Sequence, residues 1–200
     1  MSKKPEAYIF IGRSGCGKGT QADLLVKHLC EHDKLCKTLH IETGALLREF
    51  IKSENANYSQ KKCKEVIESG GLMPEFLPVA LWGMHMMGNM DGETNMIGDG
   101  CPRKLHEALI LETAFDFYGF AHINVIFMNV TRGWARKMML GRKRKDDSEL
   151  GLNKRLDWYE TEVLPTVEYF KANSKYRFFD IDGEQKIEDV HAEIIRKLNI

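Results

Sequence analysis

Residues 12–20 read Gly12-Arg13-Ser14-Gly15-Cys16-Gly17-Lys18-Gly19-Thr20, behind the apolar run Ala7–Ile11 and ahead of a helical Gln21-Ala22-Asp23-Leu24-Leu25. Gly12, Gly17 and Lys18 satisfy G-x-x-x-x-G-K in the strand, loop and helix context that gives this pattern its meaning. Glycines let successive backbone N–H groups curl around an anion where a side chain would block it. The helix beginning near Lys18 turns its positive end toward the same point. Lys18 adds a mobile charge for β- and γ-phosphates, and Thr20 a hydroxyl for phosphate or Mg²⁺. Four glycines in eight residues exceed what a turn needs. The pattern predicts a phosphate-binding fold without separating a kinase from a nucleotide switch.

A second set of side chains is cationic. Arg48, Arg103, Arg142, Arg144 and Arg155 are guanidiniums, each able to grip phosphate oxygens in bidentate fashion. Moving a phosphoryl group between nucleotides gathers negative charge, so catalysis is mostly positioning plus positive charge. Singly, Arg142–Lys145 reads as a charged loop, Arg48 and Arg155 as solvated helix residues, and Asp99-Gly100 as a turn. Their order behind a phosphate loop favours one shared site.

These residues need elements to position them. Five short, largely apolar stretches read as buried strands: Tyr8–Ile11, Thr38–Ile41, Asn95–Ile97, Ile123–Asn129 and Tyr176–Ile181. Helical spacing fills the gaps over Lys18–Glu31, Pro78–Met87, Pro102–Phe117, Leu152–Lys171 and Ile187–Leu198. In the fourth, Leu152, Leu156, Tyr159, Val163, Val167 and Phe170 form one apolar stripe. Strands alternating with helices imply crossovers, a parallel sheet and helices on both faces. Polar Ser53–Lys64 reads as a small helical insert, and Gly141–Asp147 as a charged loop between helices.

Composition narrows the class. Two hundred residues suit one domain carrying small inserts. With 29 basic and 29 acidic side chains, a general nucleic-acid or membrane-surface binder is disfavoured. Ala7–Ile11, the longest apolar run, falls far short of the roughly 20 residues a spanning helix needs. Met1–Pro5 carries two lysines, but the following apolar stretch ends at once in Gly12-Arg13, unlike a signal peptide. Cys16, Cys30, Cys36, Cys63 and Cys101 are odd in number and form no C-x-x-C pair, so they read as scattered thiols in a reducing cytoplasm. Met84-His85-Met86-Met87 reads as helix packing, as do Trp82, Trp134 and Trp158.

Several ordered motifs resemble one family across nearly the whole chain. Gly15-x-Gly17-Lys18-Gly19-Thr20-Gln21 is what adenylate kinases and related nucleoside monophosphate kinases show. Thr43-Gly44-Ala45-Leu46-Leu47-Arg48 resembles T-G-D-L-L-R, Gly70-Gly71-Leu72-Met73-Pro74 resembles G-x-L-V-P, and Asp99-Gly100-Cys101-Pro102-Arg103 is similar to D-G-F-P-R. Arg142-x-Arg144-x-Asp146-Asp147, then Lys154-Arg155-Leu156 and Tyr159, resembles the lid and the helix behind it.

The resemblance implies a single α/β P-loop NTPase domain over residues 1–200, with a five-stranded parallel sheet, a helical monophosphate-binding insert over 42–73 and a short lid over 141–147. It implies reversible transfer of the γ-phosphoryl of Mg-ATP to a nucleoside monophosphate, with AMP the leading acceptor. It assigns donor binding to Gly15, Cys16, Gly17, Lys18, Gly19, Thr20, Arg142 and Gln185. Acceptor binding goes to Thr43, Arg48, Gly71, Leu72, Met73, Gly100, Arg103, Glu107, Arg144 and Arg155. Lys18, Arg103, Arg142, Arg144 and Arg155 are its catalytic set. Thr20 and, through water, Asp99 hold Mg²⁺, while a lid without cysteine holds no zinc. Implied partners are ATP and a monophosphate, with no nucleic acid and no membrane, and a monomer is the default.

The chain also departs from the pattern. Ser14 replaces the usual loop proline, Ala45 an aspartate and Cys101 an aromatic; Met138 stands where an arginine often sits near the donor adenine, with Arg136 or Lys137 as substitutes. Glu107 replaces a glutamine that reads the acceptor base. An ionised carboxylate only accepts hydrogen bonds, so it suits adenine's N1 poorly and guanine's paired donors better. His106 and Lys104 stand close enough in sequence to restore a donor; a shifted helix start would leave Glu107 exposed. GMP, CMP, UMP or dTMP as acceptor therefore stays open, as does a nucleotide-binding switch without turnover.

Overall fold

A computed structural model describes residues 4–32, 36–141 and 149–200. Strands β1 (Glu6–Gly12), β2 (Thr38–Glu42), β3 (Asn95–Asp99), β4 (His122–Asn129) and β5 (Arg177–Asp182) form one parallel sheet in the order β2-β3-β1-β4-β5. All five predicted strands are present. Central β1 is buried on both faces, which explains its unbroken apolar run. Ile9 and Ile11 pack into one core with Leu111, Phe115 and Phe170, whereas Tyr8 and Phe10 pack into the other with Leu25, Ile126 and Ile194. That alternation is the period-2 geometry of a strand.

The helices are α1 (Lys18–His32), α2 (Thr43–Phe50), α3 (Tyr58–Glu68), α4 (Phe76–Asn89), α5 (Leu105–Tyr118), α6 (Arg132–Gly141), α7 (Glu149–Trp158), α8 (Leu164–Ala172) and α9 (Ile187–Leu198). The expected continuous helix Leu152–Lys171 is instead split by a π-helical turn, Tyr159–Val163, ahead of α8. Pro165 has no N–H to give the carbonyl one turn back, and the wider turn absorbs that defect. The predicted stripe is buried throughout. It serves two cores, however: Leu152 and Leu156 join the one behind α1, while Tyr159, Val163, Val167 and Phe170 join the one behind α5.

Between β2 and β3, Leu47, Cys63, Met73 and Leu77 make a small separate core. The polar stretch after α2 becomes helical only at Tyr58. Asn57 Oδ1 accepts the Gln60 backbone N–H at 3.0 Å, and Gln60 Oε1 accepts that of Asn57 at 2.8 Å, a capping box. Asn57→Ala is expected to cost about 1 kcal/mol in a urea melt of the full chain. An unchanged midpoint would show that α3 needs no such cap. In α4, Met86 is buried as expected, but Met84 and Met87 are exposed. No described helix is long and apolar enough to cross a membrane.

Candidate active site

Chain connections leave β1 and β3 over opposite faces of the sheet, α1 on one and α5 on the other. In such sheets a crevice opens at the carboxyl ends of the strands. Here it is a cleft of about 590 Å³, reached by Gly12, Asp99 and Met128 from the ends of β1, β3 and β4.

The phosphate loop forms its floor. Gly15 has φ +85°, and a Cβ there would stand 2.6 Å from the Ala135 carbonyl oxygen, so only glycine lets the loop lie against α6. Gly19 explains the unusual residue before Thr20: a Cβ there would meet Asp99 Oδ2 at 3.1 Å. The Lys18 amine donates to the carbonyls of Gly12 at 3.0 Å and Arg13 at 2.8 Å. Arg13 braces the loop: Nε donates to Val130 O at 3.1 Å, and the guanidinium lies 4.0 Å from the Tyr159 ring centre and pairs with Glu160 at 2.5 Å. Burial raises the Asp99 carboxyl above its ordinary pKa, and the Lys18 charge opposes this. A carboxylate beside the start of α1, with Thr20 on the same cleft wall, is a donor set that suits Mg²⁺ carried by a nucleotide.

Arg48, Arg103 and Arg155 converge on this cleft with Gly15, Cys16, Gly17, Lys18, Gly19, Thr20, Gly71, Met73, Gly100 and Gln185. Arg48 pairs with Glu42 at 2.6 Å, and both line the wall. Arg103 is set by its own backbone: its N–H goes to Glu107 Oε2 at 2.7 Å, and its carbonyl accepts from Thr166 Oγ1 at 3.1 Å. Its guanidinium lies 5.7 Å from the Trp158 ring centre. Burial pulls the Arg103 pKa down, Glu107 and Asp99 oppose that, and Arg155 adds to it. The Trp158 indole N–H donates to the Gly70 carbonyl at 3.3 Å, so one ring organises both Arg103 and the end of the α3 connection.

Other expected positions fall elsewhere. Thr43 is buried at the start of α2, and neither it nor Leu72 lines the wall. Glu107 is 2% exposed and is absent from the wall. From the first turn of α5 its carboxylate accepts the Arg103 N–H just ahead of that helix, and burial raises its pKa against that bond and the Arg103 charge. His106 and Lys104 instead face Glu75, at 3.4 and 3.6 Å. Arg142, Arg144 and residues 142–147 of the expected lid lie outside the described residues.

Some wall residues were read from sequence only as packing. Trp158 stands three residues beyond Arg155, and Trp134 four before Met138, so each shares a helix face with a named site position, and all four line the cleft. Met138, Trp134, Ile187 and Val190 give one side an apolar lining. Arg136 pairs with Glu149 at 3.1 Å, and neither it nor Lys137 reaches the wall. Glu42 was missed altogether; its place at a strand's carboxyl end was the available signal.

A family model described as Adenylate kinase matches residues 10–175. The chain is 31% identical to "Adenylate kinase 1" of Nostoc sp., over 93% of this chain and 95% of that protein. It is 29% identical to the adenylate kinase of Leuconostoc mesenteroides, over 93% of each. It is also 29% identical to that of Methanocella arvoryzae, over 96% of this chain and 99% of the relative.

Proposed function

The chain belongs to the adenylate kinase family, and from that premise we propose how its residues carry out reversible transfer of the γ-phosphoryl of Mg-ATP to AMP, giving two ADP and balancing adenine nucleotides. The carrying observation is that the phosphate loop and Arg48, Arg103 and Arg155 face one cleft. Donor phosphates lie on the backbone N–H groups of residues 15–20, with Lys18 exchanging its loop carbonyls for phosphate oxygens. The donor base lies against Trp134, Met138, Ile187 and Val190, with Gln185 at its edge. Arg48 and Arg103 hold the acceptor phosphate beside Gly71 and Met73, which makes 42–73 the acceptor-binding insert. Arg155, with Arg142 and Arg144 from a short lid over 141–147, draws charge from the transferring group, and that lid keeps water out. Thr20 and Asp99 would hold Mg²⁺, which neutralises phosphate charge when bound. A cytoplasmic setting, in keeping with an odd number of cysteines that form no C-x-x-C pair, and a monomer complete the proposal.

The test is ADP formation from Mg-ATP with AMP, GMP, CMP, UMP and dTMP, beside a control without acceptor. AMP is expected to lead, and hydrolysis alone to be far slower than transfer. Because Glu107 is occupied by the Arg103 N–H, Glu107→Gln is expected to leave the ratio of AMP to GMP use within about threefold. A change of preferred base in that variant would place Glu107 at the base. ATP binding without transfer to any acceptor would replace the kinase reading with a switch.

A further inference from the structure

Three of the five cysteines, Cys16, Cys63 and Cys101, are buried, and burial raises their thiol pKa values, that of Cys101 to about 12. Cys30 and Cys36 differ. Cys30 is exposed near the end of α1, and Cys36 is partly exposed just ahead of β2. Six positions apart in sequence, their Sγ atoms stand 3.2 Å from each other. The Cys30 Sγ also lies 4.0 Å from the Cys36 carbonyl oxygen, so the chain folds back onto this helix end.

We propose that Cys30 and Cys36 form a redox modification site, a dithiol that closes to an intramolecular disulfide on meeting a low-molecular-weight disulfide such as oxidised glutathione. One cysteine gives up its proton, and its thiolate attacks a sulfur of the incoming disulfide. A mixed disulfide forms and one small thiolate leaves. The second cysteine, already in sulfur–sulfur contact, attacks the protein sulfur of that adduct, forming the Cys30–Cys36 bond and expelling the second small thiolate. Two protein thiols are oxidised, one small disulfide is reduced, and the two protons end on the released thiols. Proximity decides the outcome, because the second step is intramolecular whereas a second adduct needs another collision. A bond length near 2.05 Å asks the sulfurs to approach by about 1 Å, and Cys36 lies outside any regular element. The site stands roughly 18 Å along α1 from Lys18, given 1.5 Å per helical residue, and so is separate from the phosphate loop.

The experiment exposes the full native chain to a graded series of reduced and oxidised glutathione, alkylates remaining thiols, and maps peptides by mass spectrometry. Tryptic cleavage after Lys34 separates the two cysteines, so a bridge is read as two peptides held together and two hydrogens lighter than their sum. The expected result is that linked pair, reversed by dithiothreitol, with Cys16, Cys63 and Cys101 alkylated only after denaturation. C30S and C36S are each expected to hold one glutathione on the surviving cysteine and to show no link. Two stable glutathione adducts on the unaltered chain would overturn the proposal. So would Cys30 and Cys36 both surviving as thiols where C30S is already glutathionylated, or a bridge through a different cysteine.

Discussion

Lys18→Met is expected to lower kcat by about 10²–10³-fold, or roughly 2.7–4 kcal/mol of transition-state stabilisation, while the thermal melt stays close to that of the parent. In the structure the amine bonds two neutral carbonyls, of Gly12 and Arg13, at the lip of the loop. With a nucleotide in the cleft it can exchange these for anionic oxygens, which adds the attraction of opposite charges that a neutral carbonyl cannot supply. Methionine keeps the apolar stem and loses the charge. The loop itself is held by other contacts: Gly15 lies against the Ala135 carbonyl, and Arg13 is clamped by Val130, Tyr159 and Glu160. Steady-state ADP formation and a melt together check this. A folded variant with kcat within about threefold of the parent would show that backbone N–H groups alone carry the phosphate stabilisation.

Arg103→Ala is expected to reduce kcat/KM for AMP by about 10²–10³-fold, with a much smaller change in KM for ATP. Arg103→Lys is expected to recover only part of that loss. A lysine supplies one point charge, whereas this guanidinium offers a planar fork beside the Trp158 ring. Its backbone is fixed by Glu107 from α5 and Thr166 from α8. The two variants should therefore differ in the presented group rather than in the shape of the wall. Initial rates over crossed ATP and AMP concentrations separate the two effects. Full recovery by lysine would mean that charge at this position suffices and the fork is dispensable.

The sheet was legible from sequence because parallel strands covered on both faces must be apolar throughout. Central β1 carries that mark in full, while the edge strands β2 and β5 carry it only in part, with His40, Arg177 and Asp180 interrupting the apolar run. The phosphate loop was legible for a related reason: its glycines answer to local demands, positive φ and close backbone approach, which are written at the positions that need them. Arg48, Arg103 and Arg155 were legible as a set through their order behind that loop. Their convergence on one cleft is geometry that the order implied.

What remained depended on partners distant in sequence. The stripe from Leu152 to Phe170 predicts burial, but spacing cannot say that its two ends enter different cores, nor that Pro165 widens the turn between them. Glu107 can accept a hydrogen bond from a base or from a backbone N–H with equal chemistry. Only the path of residues 103–107 directs it to Arg103. Trp134 and Trp158 satisfy helical packing and cleft lining alike, and the sheet beneath their helices sets each against a core and on the cleft wall at once. Cys30 and Cys36 have no motif spacing, yet the end of α1 and the approach to β2 bring them into contact. The sequence alone determined the strands, the loop and the charge that a phosphoryl transfer needs, since each obeys a rule of neighbours along the chain. The tertiary structure decided which face each ambiguous side chain serves, because that choice is made by atoms the sequence places far away.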